Sequence, residues 1–150
     1  QALTRVAASL SQVPGRAPER GVTVCMETHD DWCDPADVVQ IMERVNSPAV
    51  AVNWDIMHPV RMKLATMDEA FAVLKPWIRH VHIHDAAVDA NGMPTLDFVP
   101  IGEGYVDHKS AIAQLVSMNY DGYISGEWIN WSDPYDVHLP RELATVKGYE

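Results

Sequence analysis

Residues 49–74 read AVAVNWDIMHPVRMKLATMDEAFAVL, and they contain one complete strand-and-helix unit. Residues 49–54 are apolar except for Asn53, which is typical of a strand that is buried on both faces, and the run ends at Asp55. Thr66 and Glu69 have the spacing of a capping box, which predicts the start of a helix. Because apolar side chains follow at helical spacing, the stretch predicts one βα unit.

The same unit occurs three more times in the chain. Further strands are predicted at residues 22–26, 78–84 and 123–126, and a segment with helical spacing follows each. Parallel strands need long crossover connections, so this alternation predicts an α/β fold with a parallel sheet. An open doubly wound sheet and part of a (β/α) barrel of TIM type both fit, and four βα units are about half of such a barrel.

Capping and breaking residues predict the limits of other segments. Asp34 and Pro35 are predicted to cap and begin the helix of the first unit, and the last helix is predicted to begin near Pro140. Residues 85–106 are rich in glycine and proline, so they are predicted to form a long loop. Within that loop, Gly102-Glu103-Gly104 is interpreted as a turn.

Composition and charge limit the class of protein. The 150 residues, 47% of them hydrophobic, can bury the core of one domain, so residues 1–150 are predicted to be a single domain. No apolar run approaches the ~20 residues of a membrane span and the N-terminus lacks the layout of a signal peptide, so we expect a cytoplasmic protein that does not bind a membrane. The net charge of -10 argues against nucleic acid as a partner, and two cysteines are too few for a disulfide framework.

A titratable side chain stands at the carboxyl end of each predicted strand. These residues are Glu27, Asp55, His82, with His84 beyond it, and Glu127. Because parallel strands end at the same edge of a sheet, we expect the side chains to converge there. Three carboxylates repel one another unless a cation neutralises them. With one imidazole they form a ligand set suited to Mn²⁺, Mg²⁺, Co²⁺ or Zn²⁺, so we predict a divalent-metal site.

Ordinary structural roles compete with this interpretation. A single acidic residue at a strand end is more often a helix cap or a turn residue, but four titratable residues in register are harder to explain in that way. His80, His82 and His84 alternate and share one strand face, so we expect at most one or two of them to be ligands. His29 and His58 follow strand ends at the same mouth, and by default they are surface histidines.

Five motifs together resemble a known family. They lie in order between Val22 and Trp128, and they are VCMETH (24–29), NWDIMH (53–58), HVHIHD (80–85), PIGEGYVD (100–107) and YDGYISGE (120–127). In combination they resemble the xylose isomerase-like TIM-barrel superfamily, and within it the sugar phosphate isomerase/epimerase group. The resemblance implies that this chain supplies strands five to eight, the C-terminal half of a barrel.

The resemblance also implies roles for individual residues. Its metal ligands fall on Glu27, Asp55, His82 and Glu127, the same set as above. It implies that Glu27 and Glu127 exchange the proton next to the carbonyl of a keto sugar, through an enediolate that the metal stabilises. His58, and less closely His29, would bind the substrate.

The implied function is that of a metal-dependent isomerase or epimerase of a sugar or sugar phosphate. The chain departs from some keto-sugar epimerases because no arginine follows Asp85, where residues 86–88 read AAV. The resemblance therefore leaves open a dehydratase of a cyclic keto polyol such as an inosose or dehydroshikimate. An inactive half-barrel and an endonuclease-like member are further alternatives, although the charge of -10 and only 7 histidines count against an endonuclease.

Half of a barrel leaves unpaired strands at both edges of its sheet. The chain begins at Gln1 rather than at methionine, which is consistent with a fragment of a longer protein. We therefore expect either that the N-terminal half is supplied elsewhere or that the chain forms a homo-oligomer.

Overall fold

A computed structural model describes residues 1–15, 17–129 and 131–149. In chain order its helices and strands are α1 (Ala2–Leu10), β1 (Val24–Glu27), α2 (Pro35–Val45), β2 (Val50–Asp55), α3 (His58–Arg61), α4 (Met67–Leu74), β3 (Ile78–Ile83), β4 (Asp85–Val88), β5 (Pro94–Val99), α5 (His108–Ser117), β6 (Tyr123–Gly126) and α6 (Tyr135–Lys147). Four strands form a parallel sheet in the order β1-β2-β3-β6, and the helices pack against it. The predicted α/β fold with four βα units is confirmed.

The predicted caps form the expected local contacts. The Asp34 Oδ1 atom accepts a hydrogen bond from the backbone N–H of Ala36 at 2.9 Å, and Pro35 occupies the first position of α2. The Thr66 hydroxyl accepts from the backbone N–H of Glu69, whose carboxylate in turn accepts from the backbone N–H of Thr66. These contacts satisfy backbone donors that have no partner inside the helix.

The core lies between the inner strands and the helices. Every residue of β2 is buried, and side chains of α2 and α4, among them Val38, Ile41 and Leu74, pack in the same cluster. The two outer strands are less buried than β2, since Tyr123 on β6 is 81% exposed and every residue of β1 is only partly buried. β1 and β6 are therefore the open edges of a partial barrel.

Two predicted segments were wrong in part. Residues 85–106 are not only loop, because β4 and β5 pair as an antiparallel hairpin around Gly92, whose φ of +74° suits glycine. Pro94 is tolerated because it is the first residue of β5. The last helix begins at Tyr135 rather than near Pro140, which lies inside it and removes one backbone donor.

An irregularity between β2 and β3 sets the register at the carboxyl ends of these strands. Val52 pairs with Ile78, but the next residue, Asn53, pairs with His80, so Arg79 is an extra residue. As a result Asp55 lies opposite His82. A regular register would place Val81 there and turn the face of β3 that carries the histidines away from Asp55.

No helix within the described residues is long and apolar enough to cross a membrane.

Candidate functional site

The four residues predicted as metal ligands come together at the carboxyl edge of the sheet. One ligand atom from each of Glu27, Asp55, His82 and Glu127 lies within 4.8 Å of all the others. The His82 Nδ1 atom is 2.7 Å from Glu27 Oε1 and 3.2 Å from Glu127 Oε2. Each parallel strand therefore contributes one side chain, at its last positions or directly after it.

The Asp55 carboxylate is buried and only half satisfied. Its Oδ1 atom accepts hydrogen bonds from the backbone N–H groups of Met57 and His58, at 2.9 and 3.2 Å, and from His84 Nε2 at 3.2 Å. Burial opposes ionisation, but the hydrogen bond and charge of His84, with smaller contributions from His58 and Met57, outweigh it and lower the pKa of Asp55.

The Asp55 Oδ2 atom has no hydrogen bond within the described residues. His84 Nε2 forms an ion pair with it at 3.0 Å, whereas the hydrogen bond of that ring nitrogen is to Oδ1. A buried carboxylate oxygen without a hydrogen-bond donor is costly unless a ligand occupies its free side. Oδ2 is thus available as a metal-binding atom.

His84 lies behind the ligand cluster and is 1% exposed. Its Nδ1 atom faces the backbone oxygen of Glu127 at 3.0 Å, and its Nε2 atom faces Asp55. Both partners only accept hydrogen bonds, so the imidazolium form satisfies both contacts. Burial opposes this charge, but the hydrogen bond and the charge of Asp55 outweigh it and raise the pKa of His84.

The local charges match a divalent cation. Glu27, Asp55 and Glu127 bring three negative charges when ionised, and the His84 imidazolium offsets one of them. Two negative charges remain, and the His82 ring adds a nitrogen ligand. Together with the free Oδ2 atom of Asp55, this donor set fits Mn²⁺, Mg²⁺, Co²⁺ or Zn²⁺, which accept oxygen and imidazole ligands.

The two histidines predicted to bind substrate lie beside the cluster. His58 is 3% exposed, so its default interpretation as a surface residue is wrong, and burial lowers its pKa to about 4. His29 is half-buried, and its ring meets the His58 ring edge-on with 4.1 Å between centroids. His80, by contrast, is outside the ligand cluster.

Two cavities adjoin the ligand cluster. A cavity of about 260 Å³ is lined by polar side chains, among them His29, His58, Arg61 and Glu127, and by Phe98 of the hairpin. A wider cavity of about 590 Å³ is lined by both glutamates of the cluster and by apolar side chains of α1 and β1. Both catalytic candidates, Glu27 and Glu127, are therefore accessible to a small molecule.

Thr28 is a positioning residue that sequence reasoning missed. It is completely buried, and its hydroxyl accepts from the backbone N–H of Asp55 at 2.9 Å and donates to the backbone oxygen of Asp55 at 3.0 Å. These contacts hold the ends of β1 and β2 together, so they set the distance between Glu27 and Asp55.

Asp85 organises the loop beneath the hairpin. Its carboxylate accepts four backbone hydrogen bonds at 2.9–3.1 Å, from Ala86, Gly102, Gly104 and Val106. Gly102 has a φ of +92°, which side-chain-bearing residues rarely adopt. The segment Gly102-Glu103-Gly104, predicted as a turn, thus donates two of its backbone N–H groups to the Asp85 carboxylate.

The chain matches a described family over almost its whole length. Residues 1–148 match the family described as xylose isomerase-like TIM barrel. Among curated proteins, the chain is 36% identical over 104 residues to the C-glycoside deglycosidase alpha subunit of Arthrobacter globiformis. That match covers 66% of this chain and 26% of the subunit.

Solved structures with low sequence identity have the same fold. The probable 3-DHS dehydratase AsbF of petrobactin synthesis from Bacillus anthracis matches with a TM-score of 0.78 at 20% identity, over 94% of this chain and 55% of that chain. A D-tagatose 3-epimerase-like protein matches with a TM-score of 0.78 at 22% identity, over 98% and 54% of the two chains. The chain thus spans about half the length of these barrels and about a quarter of the curated subunit.

Proposed function

The chain belongs to the xylose isomerase-like TIM barrel family, and from this membership and the geometry of its site we propose that it carries the catalytic centre of a divalent-metal-dependent isomerase or epimerase. The proposed substrate is a sugar or sugar phosphate that carries a ketone. The proposed ligands are Glu27, Asp55, His82 and Glu127.

The placement of the two glutamates carries the proposal. Glu27 is the last residue of one edge strand and Glu127 directly follows the other, yet both contact His82 and both line the wider cavity. A keto sugar in that cavity would meet both carboxylates. Two carboxylates beside one substrate suit removal of a proton by one and its return by the other.

The proposed reaction assigns a task to each side chain. One glutamate removes the proton from the carbon next to the carbonyl, and the other returns a proton to the same or the neighbouring carbon. A bound divalent ion supplies Lewis-acid polarisation of the carbonyl and offsets the negative charge that develops on it. His58 and His29 lie on the cavity wall, where they would hold substrate hydroxyl groups.

The test follows exchange of a substrate proton with solvent. The intact protein is loaded with Mn²⁺ in D₂O and incubated with a free ketohexose, its 6-phosphate or a 3-keto-glucoside, and deuterium in recovered sugar is measured by mass spectrometry after removal of the metal. We expect one deuterium next to the carbonyl, and Glu27→Gln and Glu127→Gln should each reduce its rate at least about 100-fold. Glu43→Gln is the matched control on the exposed face of α2 and should exchange normally. Exchange that persists in both site variants would refute the assigned roles.

Cleavage is the second candidate reaction. It is favoured by the 36% identity to a C-glycoside deglycosidase alpha subunit. The first step is again removal of a proton next to a carbonyl, but the intermediate then expels a leaving group, which is water in a dehydratase and an aglycone in a deglycosidase. Product mass in a reaction run in H₂O separates the candidates, since an isomer keeps the mass of the substrate, whereas the product of either cleavage reaction has lost the mass of the leaving group.

We propose that the chain acts within a closed barrel of one domain. The open edges at β1 and β6 require partner strands, which another segment of the same protein or a second copy of this chain would provide. Light scattering and thermal unfolding of the chain alone test whether a second copy provides these strands. A monomer that unfolds cooperatively would exclude a second copy as their source.

A further inference from the structure

A contact between Arg61 and His58 lies next to the ligand cluster. The two residues are the last and first positions of α3, so they are three apart on one helical face. The Arg61 Nε–H group donates a hydrogen bond to His58 Nδ1 at 3.3 Å. His58 is buried, and Arg61 is half-buried on the wall of the smaller cavity.

The chemistry of the guanidinium group decides where His58 carries its proton. Arginine has only donors and stays protonated in proteins, so a nitrogen that meets its Nε–H group must present a lone pair. A proton on His58 Nδ1 would place two N–H groups against each other. The ring is therefore the neutral tautomer with its proton on Nε2.

The other end of the ring has no hydrogen-bond partner among the described residues. His58 Nε2 is buried and makes no hydrogen bond within the described residues. It lies 3.8 Å from Asp55 Oδ2, the ligand atom that is also without a hydrogen bond. A buried N–H donor without a partner is costly, and its position beside the ligand cluster and the cavity points to an external acceptor.

We propose that Arg61 is a positioning residue that fixes His58 as the Nε2–H tautomer, so that His58 donates a hydrogen bond to an oxygen of the substrate. His58 then has no free lone pair with which to act as a general base, which leaves proton transfer to the glutamates. The identity of the oxygen rests on the proposed function, whereas the tautomer does not.

The tautomer can be measured without substrate. In the metal-free intact protein labelled with ¹⁵N-histidine, long-range ¹H–¹⁵N correlation spectra at about pH 7.5 separate a protonated ring nitrogen from an unprotonated one, and His58→Gln assigns the signals. We expect Nδ1 of His58 to show the downfield shift of an unprotonated nitrogen. In Arg61→Met the two nitrogens should move toward each other, as in a tautomer mixture, while Arg44→Met on the exposed face of α2 should leave them unchanged.

Two outcomes would overturn the tautomer assignment. They are a protonated Nδ1 in the wild-type protein, and an Arg61→Met spectrum identical to that of the wild type. The wild-type spectrum is decisive by itself if Arg61→Met fails to fold. Since none of these spectra depends on turnover, failure of the proposed function would leave this result intact.

The catalytic consequence is tested separately in the metal-loaded protein. If sugar exchange is observed, Arg61→Met should lower kcat/KM about 10- to 100-fold, as loss of a residue that orients a site group typically does, and Arg61→Lys should recover part of it. An unchanged kcat/KM in Arg61→Met, with normal exchange in the wild type, would overturn the role of the contact in the reaction.

Discussion

Acidification should destabilise the metal-free protein through His58. The pKa of this side chain falls from 6.5 to about 4 on folding because the ring is buried. Between these two values the unfolded chain binds a proton that the folded protein does not bind, so stability is complete above about pH 6.5 and decreases as the pH falls toward 4. The loss attributable to His58 between about pH 7.5 and pH 5 is about 2 kcal/mol.

The measurement compares two proteins at two pH values. Urea unfolding with a chelator present gives the free energy of unfolding of the wild type and of His58→Gln at each pH, and the change with pH is compared between them. The raised pKa of His84 acts in the opposite direction, but it is present in both proteins and cancels in this comparison to first order. We expect the wild type to lose about 2 kcal/mol more than the variant. Equal losses in the two proteins would refute the assignment of a neutral, buried ring.

Two further substitutions test the ligand cluster and its support. Asp55→Asn leaves the buried His84 imidazolium without its carboxylate, so the free energy of unfolding should drop by about 3–5 kcal/mol. Mn²⁺ binding, measured by calorimetry, should also weaken at least about 100-fold. The control Asp97→Asn, on the exposed hairpin, should change neither quantity. An Asp55→Asn protein that binds Mn²⁺ normally would exclude Asp55 as a ligand. Thr28→Val removes both hydrogen bonds to the Asp55 backbone and should lower the free energy of unfolding in urea by about 3 kcal/mol. The control Thr23→Val, at an exposed position, should lower it by less than about 0.5 kcal/mol. Similar losses in the two variants would mean that the buried hydroxyl contributes nothing to stability.

The strands and the acidic ligands could be predicted because local sequence specifies them. An apolar run that ends in a carboxylate fixes both the strand and the edge at which the side chain emerges, as at Glu27 and Asp55. Alternation alone could not choose among the three histidines of the third strand. That choice depends on the extra residue Arg79 in the pairing of β2 with β3, and pairing between strands leaves no local signal.

The supporting contacts could not be predicted because their partners are distant in the chain. Thr28 bonds to a backbone 27 residues away, and nothing around a threonine after a strand indicates this. The β4–β5 hairpin could not be predicted from the sequence for a related reason. Its glycine and proline residues are typical of loops, and they become part of a hairpin only through pairing of the two strands.

The distribution of one ligand on each parallel strand has a consequence for how this chemistry can be inherited or engineered. Since the cluster draws on β1, β2, β3 and the end of β6, no shorter run of βα units contains a complete set. Truncation that removes any one unit would therefore remove one of the four proposed ligands. The shortest segment that carries all four proposed ligands is therefore the whole four-unit segment.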